Sequence, residues 1–63
     1  MVAPSATEAR AARERLLLNL NLAAYYRRLA AAEERGGVVR DALVQDAINK
    51  LTCARAIRRV YGV

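Results

Sequence analysis

From Glu8 to Arg35 apolar residues recur at steps of three and four, with no Gly, Pro or β-branched residue to interrupt them. That spacing is the signature of one face of a helix. The stretch is written almost entirely in Ala, Leu, Arg and Glu, all strong helix formers. One segment reads differently, because Leu18-Asn19-Leu20-Asn21-Leu22 alternates apolar and polar as a half-buried strand would. Five residues of alternation inside so long a helical window do not outweigh it, and the segment is assigned to helix.

The boundaries follow from local chemistry. Ser5 followed by Glu8 has the S-x-x-E capping spacing, with Thr7 as a competing cap. Gly36-Gly37 can leave the helical conformation at no steric cost and is expected to end the first helix. A second helical pattern runs from about Val38 to Tyr61, with Arg55, Arg58 and Arg59 near its negative end and Gly62 as candidate C-cap. The expected organisation is a single domain, residues 1–63. A flexible lead (1–5) precedes a helix over about 6–35, a turn at 36–37 and a helix over about 38–61. The fold class is all-α, an antiparallel two-helix hairpin. One continuous helix through Gly36-Gly37 is the structural alternative.

Seams can be assigned on the same spacing. In the first helix Ala11, Arg15, Leu18, Leu22, Tyr25, Leu29 and Ala32 form one 4-3 stripe, with Tyr26 beside it. In the second, Arg40, Val44, Ala47, Leu51, Ala54, Arg58 and Tyr61 form the matching one, widened by Leu43, Ile48 and Ile57. Folding at the glycines brings these two stripes together as the expected core. Leu16, Leu17 and Leu20, with Ala24, then have no third element to cover them, and a row of exposed leucines on so small a chain marks an interaction surface. The hairpin is therefore expected to be completed by self-association into a four-helix bundle or by docking on a larger assembly. Asn19 or Asn21 could fix the register of such an interface, as a buried Asn does in coiled coils, but solvated asparagine at the margin between faces is the preferred reading.

Composition strengthens the case for a partner. Of the residues that bring the hydrophobic fraction to 56%, 14 are alanine, so large apolar side chains are scarce. Chains of 63 residues usually need disulfides, a metal or a partner subunit. Cys53 is the only cysteine and there is no histidine. An internal disulfide is thus excluded, and neither a zinc shell nor any cofactor is expected. Cys53 itself is expected to be partly buried beside the second seam.

Charge adds the nature of that partner. The net charge of +5 is carried by ten arginines and a single lysine. Guanidinium groups make planar bidentate contacts to carboxylate and phosphate. The hairpin brings Arg10, Arg13 and Arg15 to the same end as Arg55, Arg58 and Arg59, a surface for acidic partners. Nucleic acid, gripped through phosphates by these arginines in a helical dimer, is the alternative. Against it, the sequence has no recognised nucleic-acid motif, and Tyr25, which could stack on bases, is assigned to the core.

Catalysis finds no foothold. The carboxylates are placed at helix ends and polar faces, Cys53 has no histidine to activate it, and Gly36-Gly37 lacks the spacing of a phosphate loop. No apolar run reaches the ~20 residues of a membrane span, and no secretory signal opens the chain. Leucine on two sides of the first helix fits protein packing better than a membrane surface. The expectation is a soluble intracellular protein, with a mitochondrial presequence as an alternative reading of the Ala- and Arg-rich start.

Overall fold

The computed structural model describes residues 3–63; Met1 and Val2, the start of the expected lead, lie outside them. Two helices make up the fold, α1 (Ala6–Ala32) and α2 (Val38–Tyr61), joined by a short loop and packed against each other as a hairpin. The chain is all-α, and no strand forms among the described residues.

Ser5 is the cap of α1, in extended conformation with its Oγ accepting from the Glu8 N–H at 3.1 Å. The choice over Thr7 gives the helix its full first turn, and Glu8 sits in that turn, where a carboxylate is favoured by the dipole. At the other end α1 stops at Ala32, three residues before the expected Arg35. Glu33 turns to extended backbone there, its N–H donating to the Ala30 carbonyl at 3.1 Å. The physical reason lies in the charges. Glu33 and Glu34 would add carboxylates to the negative end of a helix whose last turn has no basic residue.

The connection is therefore longer than two glycines. Glu34 accepts from the Gly37 N–H at 3.1 Å, and Gly36 has φ +80° at the third position of that turn, the geometry of type II. Gly37 then caps α2, accepting from the Asp41 N–H at 3.0 Å. Gly36 is the residue whose backbone demands glycine. A Cβ there meets no atom within 4 Å, so the penalty of substitution is conformational only. Gly36→Ala is expected to lower stability by about 1 kcal/mol in denaturant titration. α2 ends as its sequence suggests, with Arg58 and Arg59 in the last turn and a left-handed Gly62 donating to the Arg58 carbonyl at 2.8 Å.

The core differs from the expected one in α1. Among the described residues the buried side chains are Ala12, Ala23 and Ala30 from α1 with Ala47 and Ala54 from α2, and no large side chain is fully buried. Between these alanines Ala9, Leu16, Asn19 and Tyr26 are half-buried, so the α1 seam runs 9-12-16-19-23-26-30 in regular 3-4 steps. The expected stripe is rotated by about one residue, or 100° of helix. Leu18 (58%), Tyr25 (49%) and Leu29 are exposed instead, while Leu22 of the expected stripe stays half-buried. In α2 the expectation fares better. Arg40, Val44, Ala47, Leu51 and Ala54 face the partner helix, along with Leu43, Lys50 and Ile57, whereas Ile48, Arg58 and Tyr61 are exposed. Alanine against alanine lets two helices approach closely, which leucine at the same positions would prevent.

The resulting molecule is thin. Its Cα atoms occupy 47 × 17 × 10 Å, a slab one helix deep. The radius of gyration is 14.5 Å, against about 11 Å for a compact chain of this length. The accessible surface of 5113 Å² exceeds by roughly 1,100 Å² the ~4,000 Å² of a compact monomer of this mass.

Candidate interaction surfaces

A slab of two antiparallel helices has two broad faces, and the alanine seam decides which side chains each receives. Stepping about 100° per residue from Ala23 and Ala47 puts Leu20, Ala24 and Leu17 of α1 on one face, with Val44, Ile48 and Leu51 of α2. A shallow groove of about 390 Å³ lies between the helices on that side, lined by Arg27, Ala30, Ala31, Arg40, Val44, Ala47, Ile48 and Leu51. The opposite face receives Leu18, Leu22 and Leu29 from α1, with Leu43 and Ile57 from α2. A smaller groove of about 210 Å³ opens there near the free ends of the helices, between Glu8, Ala11, Ala12, Arg15, Ile57 and Tyr61.

Of the four residues expected as the partner interface, Leu17 (60% exposed), Leu20 (41%) and Ala24 stand open on the first face. Leu16 does not join them, because it is half-buried in the seam between the helices. The sequence reading missed the contribution of α2. Ile48, half exposed, continues the apolar strip with Val44 and Leu51. The signal for it was present in the order of Val44, Ile48 and Leu51, but the expected core took in Ile48, which is exposed, along with the half-buried Val44 and Leu51.

The arginines are distributed differently from a single cluster. Arg10, Arg13, Arg15, Arg55, Arg58 and Arg59 are all exposed. By helical position Arg13 and Arg55 share the leucine face and Arg59 stands near its outer edge. Arg15 belongs to the other face, where it lines the smaller groove with Glu8. The first face gains two arginines not singled out from sequence, since both charged residues lining the larger groove are Arg27 and Arg40. Its centre is apolar and its rim mostly cationic, with Asp41 at the same outer edge as Arg59 by helical position.

Asn19 and Cys53 settle differently from expectation, whereas Asn21 is solvated as expected. Asn19 is half-buried within the hairpin, and its Nδ2 donates to the Arg15 carbonyl of its own helix at 2.8 Å. Asn21 is exposed on the outer edge of α1. Cys53 is exposed rather than tucked beside the seam. Tyr25 and Tyr26 pack ring to ring at 5.9 Å with planes tilted by 52°, an arrangement aromatic pairs favour. Tyr26 anchors that pair in the seam while Tyr25 stands outside it.

No helix among the described residues is long and apolar enough to cross a membrane. Among the described residues no three His, Cys, Asp or Glu side chains come together as a metal site would require. Comparison with protein-family models, with curated proteins and with solved structures gives no match to this chain.

Proposed function

We propose that the chain is a small, non-catalytic interaction module, a soluble intracellular accessory subunit that docks an acidic amphipathic helix of a partner protein on its arginine-rimmed face. The observation that carries this reading is the larger groove. Its floor and walls are Ala31, Val44, Ala47, Ile48 and Leu51, and its charged lining residues, Arg27 and Arg40, are both cationic. A helix laid there could bury an apolar stripe while its flanking carboxylates meet guanidinium groups, the helix-in-groove mode of recognition.

The choice of core supports the same conclusion. A hairpin selected to stand alone would bury its leucines, because they remove far more apolar area from water than alanines do. Among the described residues this one fully buries only alanines, half-buries Leu16, Leu22, Leu43 and Leu51, and leaves Leu17, Leu18, Leu20 and Leu29 exposed. Nucleic acid is the less well supported partner. The centre of the face between the arginines is aliphatic, and the tyrosines that could stack on bases lie elsewhere, Tyr25 and Tyr26 by helical position and Tyr61 in the smaller groove with Arg15.

The test is binding of a fluorescent helical peptide carrying a Leu/Ile stripe flanked by glutamates, measured beside a scrambled peptide of identical composition and a generic DNA duplex. The patterned peptide should bind best. Arg27→Glu with Arg40→Glu should weaken it at least ~10-fold while the helical content of the chain is retained. Equal binding of both peptides would contradict the reading. Tighter binding of the duplex, lost steeply with salt, would replace it with the nucleic-acid alternative.

A further inference from the structure

The second face has a different chemistry, and we infer that it is where a second copy of this chain packs, making a four-helix bundle whose arginine-rimmed faces both point outward. The apolar part consists of Leu18, Leu22 and Leu29 with Val39, Leu43 and Ile57, of which Leu18 and Val39 are more than half exposed. The charged residues on this side are Glu8 and Asp46 against Arg15 and Lys50, two of each sign by helical position. Two observations select a second copy as the occupant.

The first is charge. A two-fold dimer sets the same patch against itself. On the arginine face that would set Arg13, Arg27, Arg40 and Arg55, opposed in sign only by Asp41, against the same set in the other copy around a desolvated centre. On the second face each carboxylate can be met by a basic group of the other chain. A protein with net charge +5 can therefore self-associate here and not through its arginines.

The second is area. The chain exposes roughly 1,100 Å² more than a compact monomer of its mass, and a stable dimer buries about 800 Å² on each partner. One broad face of a slab 47 Å by 17 Å between Cα extremes is of the size needed. Stacking two slabs, each 10 Å deep between Cα atoms, also supplies the second layer that a domain normally has and this hairpin lacks.

Sedimentation at tens of micromolar, with reductant present because the exposed Cys53 thiol could crosslink copies, should give twice the 6.9 kDa chain mass. Leu18→Glu with Leu29→Glu should dissociate the dimer by at least ~30-fold, whereas Leu17→Glu with Leu20→Glu should leave it intact. Because the first variant could lose its fold once dissociated, it is mixed with Leu18→Lys plus Leu29→Lys. A helical heterodimer should reappear on mixing. Arg27→Glu with Arg40→Glu should dimerise normally, which keeps this result separate from peptide docking. A monomeric wild-type chain, dissociation by the Leu17/Leu20 pair instead, or no recovery on mixing would each overturn the inference.

Discussion

Ala23→Leu is expected to destabilise the hairpin by about 3 kcal/mol, while Ala24→Leu, one residue further on, changes stability by no more than about 0.5 kcal/mol. Both substitutions add the same carbon atoms to the same helix, and leucine forms helix nearly as well as alanine. Only the environment differs. Ala23 is 2% exposed between the two helices, and Ala24 is open on the leucine face. An isobutyl group at residue 23 must either push α2 away or be forced off its preferred rotamer, and the alanine seam has no slack to absorb it. Denaturant midpoints of the two variants, at matched concentration, make the comparison. Equal midpoints would mean that the helices do not meet on alanine.

That contrast also shows where the sequence was legible. Helix limits came from single residues with strong local chemistry. The Ser5 cap, the left-handed Gly62 and the glycine turn all appear in the structure because each satisfies backbone groups that nothing else nearby could. The end of α1 was less readable, since the cost of Glu33 and Glu34 at a helix C-terminus competes with their high helix propensity. The seam of α1 was misread for a reason of scale. Two stripes in 3-4 spacing run along that helix about 100° apart, one rich in leucine and one in alanine. Hydrophobicity ranks the leucine stripe first, but helix–helix distance favours the alanine stripe. In α2 the ambiguity is weaker, because Ala47 and Ala54 lie between Val44 and Leu51 on one side and Leu43 and Ile57 on the other. Either choice of stripe brings the same surface inward.

The misreading has a consequence for the surfaces. Leu16, Leu17, Leu20 and Ala24 were singled out as surplus to the core; Leu16 belongs to the seam, yet the surplus is larger than the remaining three. With the alanines inside, Leu18, Tyr25 and Leu29 are surplus as well, and they fall on the other side of the slab. Two exposed apolar faces, one ringed by arginine and one balanced in charge, suit a molecule that meets two different surfaces.

The second large effect concerns stability itself. The alanines at the centre of the hairpin supply only a few kcal/mol of hydrophobic stabilisation, at ~0.8 kcal/mol for each buried methyl-sized group. In the proposed dimer a second copy covers the exposed leucines, which then contribute more fully. Folding is coupled to association in that case, and the apparent stability is expected to rise with chain concentration by mass action. Raising the concentration 100-fold should move the thermal midpoint upward by several degrees, since each ~1 kcal/mol shifts the midpoint of a domain this small by about 4–8 °C. The measurement is a far-UV circular dichroism melt of the reduced wild-type chain at about 1 μM and about 100 μM. A midpoint that climbs with concentration is the expected result; a high midpoint identical at both would show that two helices and five buried alanines suffice alone, and would contradict the claim that this chain is completed by its own copy.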